Sequence, residues 1–332
     1  MNSLKISIVL ATYNGELFLQ EQLDSLLLQK RKPDELVICD DCSTDLTFEI
    51  IQNFAESAPF PCKIIRNVKN MGTGFSFKTA VDKSCGDLIA FCDQDDVWSS
   101  HKLSTIMACF GKTPDAEYLI SNADIVGFNG ESLGYTLWEQ RKFNFSLQNK
   151  FSSSNQFKIC LDRAITTGMS TVITRKVALI GKDKPDDINH DCWYIFVASL
   201  IGLHGILVPE SLVFYRQHNA QQFGGLKGYF FARVKSRIEN TSTVLNHNLQ
   251  NLNSLLEFSH SIQDGVCVKE NVKILEEKLS HIEHRILIVK GSMHTAFYEM
   301  LCDVFKGRYS KYGSYKTILT DFLSRIFMLK KK

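Results

Sequence analysis

Four short apolar runs, each followed by a stretch with helical spacing, fill the first 112 residues, and this alternation constrains the fold more than any other feature. The runs are KISIVLATY, DELVICD, CKIIRN and LIAFCD. Between them lie GELFLQEQLDSLLLQ, with Leu19, Leu23, Leu26 and Leu27 on one helical face, then LTFEIIQNFAES and SFKTAVDKS; HKLSTIMACF follows the fourth run. Ser43, Thr44 or Asp45 can cap the second helix, and Ser99 or Ser100 the fourth. Repeated strand–helix order predicts an α/β chain with a largely parallel sheet and helices on both faces. Such sheets bind ligands in the crevice beyond the carboxyl ends of their strands. Three polar clusters stand at such ends: Thr12-Tyr13-Asn14, Asp40-Asp41 and Asp93-Gln94-Asp95-Asp96.

The last cluster is the most demanding. In LIAFCDQDDVW a buried-strand run opens directly into Asp93, Asp95 and Asp96. Two carboxylates ~4 Å apart at an effective dielectric of ~20 repel by roughly 4 kcal/mol and raise each other's pKa unless a cation neutralises them. Oxygen donors select a hard ion, Mg²⁺ or Mn²⁺, and one or two carboxylates plus substrate phosphates is the usual Mg²⁺ arrangement. An ion held there would bridge a diphosphate and neutralise the charge that develops as it leaves. The plainer reading is an acidic turn capping the helix that follows; Asp40-Asp41 at the same crevice weighs against it.

Composition narrows the class. Charged residues make up 22% and hydrophobic residues 44% of 332, ordinary for a water-soluble globular chain. The net charge of +2 gives no footprint for nucleic acid. It is unevenly spread: from Val304 to Lys332, eight lysines and arginines face Asp321 alone, leaving an acidic body and a basic tail. No apolar run reaches 18 residues, so no membrane span is expected, and MNSLKISIVLATYNG reads as a first strand rather than a signal peptide. Ten scattered cysteines read as reduced thiols in a cytoplasmic protein; Cys39-x-x-Cys42 encloses two aspartates and has no second pair, which argues against a zinc or redox site.

Further along, residues 122–155 read as loop and strand around an acceptor-facing surface. RAITTGMSTVITRKVAL carries Gly168 in a polar turn, INHDCWYIFVASLIG starts a helix near Asp191, and GILVPESLVFYRQHN reads as two short strands broken at Pro209. After Gly225 the spacing becomes helical throughout. Val234, Ile238, Leu245, Leu249, Leu252 and Leu256 share one face; Val272, Leu275, Leu279, Ile282, Ile286 and Val289 share another. These two faces predict an antiparallel hairpin, packed on itself or on the body, or forming a homodimer seam. The division expected is residues 1–224 for a catalytic domain and 225–332 for the hairpin and tail. In the tail, Ile318, Leu319, Phe322, Leu323, Ile326 and Phe327 among lysines suit either an interfacial helix on an anionic leaflet or a helix packed on the protein.

The chain has no G-x-x-x-x-G-K-[ST] cradle for P-loop phosphoryl transfer, and Gly72-x-Gly74 is too short for a dinucleotide fingerprint. SIVLATYNG, VICDDCSTD, NMGTGFSF, GDLIAFCDQDDVW, HDCWY and YRQH, in this order and spacing, resemble the bacterial family 2 glycosyltransferases over residues 4–224. DQDDVW with the later HD and YRQH is most similar to the rhamnosyltransferase-like branch of surface-polysaccharide synthesis, such as O-antigen or capsule. The resemblance implies a GT-A nucleotide-diphospho-sugar transferase fold, Rossmann-like, with a C-terminal helical extension.

By the same resemblance, Thr12, Tyr13 and Asp41 would line the nucleotide pocket, with Asp40 supporting that strand end or reaching the ribose. Asn70 and Gly72 would border the nucleotide, and Arg216 would meet the diphosphate. Asp93 would contact the donor's ribose or sugar, or the metal; Asp95 would be the main metal ligand, with Asp96 assisting and His218 as a further ligand or a satisfied loop histidine. Asp191 would be the general base of an inverting transfer, unless it merely caps its helix; one carboxylate suffices, since no covalent intermediate forms. Gly168, His190 and Trp193 would lie on the acceptor side, His190 orienting the acceptor or else exposed. Cys192-Trp193 replaces the branch's usual tryptophan pair and Asn219-Ala220 its Gly-Asn, and the Gln-x-x-Arg-Trp of processive synthases is missing.

The function expected is transfer of one sugar from a nucleoside-diphosphate sugar, dTDP-rhamnose first and a UDP-hexose second, to a lipid-linked glycan acceptor at the inner face of the plasma membrane. The alternatives are a non-catalytic nucleotide-sugar-binding assembly partner and a metal-dependent nucleotidyltransferase.

Overall fold

The computed structural model describes residues 4–153, 156–162, 165, 167–185, 188–218, 230–262, 268–312 and 315–330; of these, 153, 230–239, 293, 315–316 and 327–330 are described by backbone alone. The chain divides into two compact units, Met1–Gly224 and Gly225–Lys332.

In the first unit the elements run β1 (Ile6–Thr12), α1 (Leu19–Leu27), β2 (Glu35–Asp40), α2 (Thr47–Ser57), β3 (Cys62–Arg66), α3 (Thr73–Lys83), β4 (Leu88–Cys92), β5 (Val97–Trp98) and α4 (Lys102–Lys112). There follow β6 (Ala116–Val126), β7 (Ser132–Thr136), α5 (Leu137–Gln140), α6 (Phe145–Ser153), α7 (Gln156–Asp162), a 3-10 turn at Gly168–Ser170, β8 (Thr171–Thr174), α8 (Arg175–Ile180), α9 (His190–Leu200) and β9 (His204–Arg216). The sheet order is β3-β2-β1-β4-β8-β6-β9-β5, with β7 on β6.

Strands β1 to β4 are parallel, as the alternation requires, and their apolar side chains are fully buried at Ile8, Val9, Leu10, Leu36 to Ile38 and Ile89 to Phe91. Beyond β4 the sheet is mixed. β8 runs antiparallel to both β4 and β6, and β9 runs parallel to β6. This geometry decides what reaches the crevice: an antiparallel β8 begins at the edge where β4 ends, and β9 ends at that edge too. Gly168 and Arg216 are thereby delivered to the acidic cluster.

Three expectations are corrected. The segment around Pro209 is one strand, and its pairing slips from Val208↔Ser121 to Ser211↔Asn122; a bulge tolerates a residue that lacks an N–H. The weakly patterned stretch from 122 holds the end of β6, the β7 hairpin and α5, whose Thr136 and Glu139 form a capping box. Neither Ser99 nor Ser100 caps α4, whose N-cap is His101, with no side-chain cap. At α2, Asp45 accepts from the Thr47 N–H at 3.0 Å, while the Ser43 hydroxyl turns to Asp40.

The second unit holds α10 (Phe230–Ser261), α11 (Lys269–Lys290), α12 (Met293–Phe305), α13 (Arg308–Tyr312) and α14 (Tyr315–Lys330). Helices α10 and α11 pack together, and Leu245, Leu252 and Leu255 of the one and Ile274, Leu275, Ile282 and Val289 of the other are buried. Leu255 rather than Leu256 is buried; Val234 and Ile238 lie outside the described side chains. No described helix is long and apolar enough to cross a membrane.

Candidate active site

The register places the three polar clusters side by side. Thr12 pairs with Asp40 across β1 and β2, and Leu10 pairs with Cys92, so Asp93 leaves β4 next to the end of β1.

At the centre stand Asp93, Asp95 and Asp96. Burial first, then the charges of Asp95 and Asp191, push Asp93 up to about 7; the Met169 N–H and Lys102 oppose the rise. Asp96 is fully buried and pushed well above the usual carboxylate range by burial and by Asp95 and Asp93. One of its oxygens accepts from the Arg216 N–H at 3.0 Å, and the other has no partner. Asp95 meets His218 Nε2 at 2.8 Å. Among the described residues no three His, Cys, Asp or Glu side chains form a ready metal cage. The donor set nevertheless fits a hard cation that takes its remaining ligands from a diphosphate and water, because it offers carboxylate oxygens and the imidazole paired with Asp95 at a strand end crowded with like charge. Asp95, Asp93 and His218 would hold it.

Two basic residues sit behind this cluster. Arg216 is 2% exposed; its Nε donates to the Asp95 carbonyl at 2.9 Å, Nη1 to the Phe128 carbonyl at 2.7 Å and Nη2 to Glu21 at 2.5 Å. Its guanidinium also stands 4.8 Å over the Phe18 ring. A guanidinium so placed braces the backbone that carries Asp95, instead of reaching a diphosphate as the resemblance implies. Lys102, 1% exposed, lies 3.6 Å over Trp98, and its ammonium donates to the Met169 carbonyl. Burial pushes it down to about 7, against the pull of Cys92, Asp96 and Asp93. Sequence reasoning missed Lys102: a lysine in the first turn of a helix reads as solvated.

At the ends of β1 and β2, Thr12 donates to Asp40 at 3.0 Å, and Asp40 also accepts from the Ser43 N–H and hydroxyl at 3.0 and 2.5 Å and faces Arg66 at 3.4 Å. Asp40, fully buried, therefore organises the loop rather than presenting itself to a ribose. Asp41 accepts from Asn67 Nδ2 at 2.7 Å and from the Met71 and Gly72 N–H groups at 2.8 and 2.7 Å. Gly72 has φ +90°, a conformation that favours glycine. Asn70 Oδ1 accepts from the Gly72 N–H at 3.2 Å, and the Tyr13 side chain is exposed. The Gln94 amide accepts from the Tyr13 N–H at 2.9 Å and donates to the Tyr13 carbonyl at 3.1 Å. Sequence reasoning assigns Asn67 no role, and Gln94 none beyond membership of the acidic cluster; their one signal is position, at or just after a strand end.

On the other side of Asp93, Asp191 lies in the first turn of α9, accepts from the Cys192 N–H at 2.8 Å, and is raised above its ordinary value by burial. His190 is not surface-exposed: it is 8% accessible, stacked on Phe77 at 3.8 Å, and held neutral because burial pushes it down to about 3. Its Nε2 is buried without a partner. A Cβ on Gly168 would stand 2.9 Å from that nitrogen and 3.4 Å from the Asp93 carboxylate, so Gly168, His190 and Asp93 meet at one point. Trp193 does not face an acceptor; 1% exposed, it donates its indole N–H to the Gly181 carbonyl at 2.8 Å.

A mostly parallel sheet that gathers polar and acidic clusters at one edge, next to a half-buried carboxylate on a following helix, fits the GT-A class of nucleotide-diphospho-sugar transferase folds. The family model for glycosyl transferase family 2 matches residues 7–175, half of the chain, and the chain belongs to that family. It is similar to an uncharacterized glycosyltransferase of Nostoc sp., 35% identical over 65% of this chain and 66% of that protein. The dTDP-rhamnosyl transferase RfbG of Shigella flexneri is 28% identical over 65% of this chain and 73% of its own length. Among solved structures, a mannosyltransferase from Pyrobaculum calidifontis in complex with GDP-Man and Mn²⁺ has TM-score 0.54 at 17% identity, over 100% of this chain and 89% of that one, a likeness of fold.

Proposed function

We propose that this chain transfers one sugar, with inversion, from a nucleoside-diphosphate sugar to a hydroxyl of a glycan acceptor in bacterial surface-polysaccharide assembly. The observation that carries the reading is geometric: a Cβ at Gly168 would stand 2.9 Å from His190 Nε2 and 3.4 Å from the Asp93 carboxylate, and Asp191 is the next residue of the same first turn of α9, so the donor-side carboxylate and the candidate base share one site. Asp191 takes the acceptor hydroxyl's proton on the face opposite the leaving group. Asp93, Asp95 and His218 hold the divalent ion, Mg²⁺ or Mn²⁺, which when bound supplies positive charge to the departing diphosphate. Lys102 and Arg216 hold the acidic loop in place. Tyr13, Asp41, Asn70 and Gly72 border the nucleotide; Gly168 and the neutral His190 shape the space beside the acceptor.

The similarity to a dTDP-rhamnosyl transferase favours dTDP-rhamnose as donor, with a UDP-hexose second. A lipid-linked acceptor, met at the membrane surface, suits the basic C-terminal tail. The test is a panel of nucleoside-diphosphate sugars with Mn²⁺, read by thermal stabilisation and by release of nucleoside diphosphate. A donor at 100 times its Kd adds ~2.7 kcal/mol. Wild type should bind and turn over one donor, while Asp191→Ala binds it without turnover. Binding by both proteins with no turnover on any acceptor extract would leave a non-catalytic binding partner, and pyrophosphate released from a nucleoside triphosphate would make the protein a nucleotidyltransferase.

A further inference from the structure

The helical unit buries several ion pairs and leaves large apolar side chains exposed on one of its helices. His281 meets Asp303 at 2.6 Å, both fully buried, and Arg285 grips Asp321 through two bonds of 2.8 and 2.9 Å, with the Tyr309 hydroxyl donating to Asp321 at 3.0 Å. On α12 the pattern is inverted relative to an ordinary surface helix. Phe297, Tyr298, Leu301, Val304 and Phe305 form one stripe, exposed by 61, 65, 37, 48 and 86%. Both acids of that helix turn away from the stripe: Glu299 faces His284 at 3.1 Å, and Asp303 is held by His281, His284 and Arg308.

From residue 293 onward the only other acid is Asp321, buried as described, whereas Lys306 follows Phe305 directly and is exposed. The stripe is thus apolar, followed directly by an exposed lysine, and neither acid of its own helix lies on it. A second copy packed stripe to stripe would bring the same sign of charge to it; an anionic lipid layer complements both features.

We infer that the outward face of α12 seats the protein on anionic phospholipid, with Phe297, Tyr298, Leu301, Val304 and Phe305 in the interface and Lys306 among the head groups. This contact differs from the tail helix named from sequence, and it stands on the helical unit alone, independent of the donor-site reading.

Flotation of the full chain with vesicles tests it, using equimolar phosphatidylglycerol and phosphatidylcholine against phosphatidylcholine alone. Wild type should float with the anionic vesicles only. Phe297→Ser with Phe305→Ser should weaken partitioning at least about tenfold, since each buried phenylalanine is worth that much. Lys306→Glu should weaken it at least about fivefold, and Phe322→Ser on α14 should leave it unchanged. The inference is overturned if wild type stays with the unbound fraction, if it floats equally on neutral vesicles, or if only Phe322→Ser releases it. A dimer in light scattering that the double serine variant dissolves would also overturn it. Nucleoside-diphosphate release by the double variant, measured without vesicles, keeps any such failure separate from failure of the transfer reaction.

Discussion

Lys102→Met keeps the aliphatic stem over Trp98 and removes one buried charge, and its cost can be worked from the contacts. The ammonium donates to the Met169 carbonyl, and the Met169 N–H supports Asp93. Losing a hydrogen bond to a charged group costs ~1.5–3 kcal/mol, and removing one partner from a buried charge cluster ~3–5 kcal/mol; these overlap and do not add. Part is recovered, because burial already pushes Lys102 down to about 7 and its own desolvation disappears with it. The net expectation is a loss of about 3 kcal/mol, which for a unit of this size is a fall in Tm of roughly 6–12 °C. Calorimetry measures that fall, and Mn²⁺-dependent donor binding should weaken in parallel as Asp93 loses an opposing charge. A variant that melts within about 2 °C of wild type and binds donor equally well would refute the counter-charge argument.

Gly168→Ala should lower transfer at least about tenfold while the protein still folds, since the new methyl meets His190 Nε2 at 2.9 Å and that ring is pinned on Phe77; steady-state rates beside a melting curve check this, and wild-type activity would contradict the packing. For Asp191, burial raises the pKa, so the base is charged only above that raised value, and kcat/KM should fall as pH drops through it, at a higher pH than for an exposed aspartate. The sign for stability is opposite: ionising a group whose folded pKa is raised costs free energy as pH rises, so Asp191→Asn should be inactive yet melt no lower than wild type at neutral pH. A pH–rate profile and one melting curve measure both.

The parallel half of the sheet was legible because its strands are apolar runs that end abruptly in Thr12, Asp40 and Asp93, a contrast that only buried strands with a solvated rim produce. The mixed half was less so. Thr171–Thr174 is four residues long, and nothing in TVIT states its direction; yet its antiparallel course is what brings Gly168 and Met169 to the acidic loop. The same limit explains the residues placed differently. Arg216 and Trp193 sit in motifs that resemble binding segments, but side-chain direction at a strand end or on a helix depends on what packs behind it. Lys102 was invisible for the converse reason: its burial arises from the Met169 turn, 67 positions away.

Gln94 links two strand ends. Its amide clasps the backbone of Tyr13 through two bonds, and a Cβ on Gly15 would stand 2.3 Å from it. The residue between the two aspartates is therefore a strut joining the end of β1 to the end of β4. With Tyr13 at the nucleotide and Asp95 at the ion, as proposed, a shift of the acidic loop would drag the tyrosine along with it, so discrimination among nucleobases and the tightness of the phosphate grip would be traits of a single rigid part and evolve together.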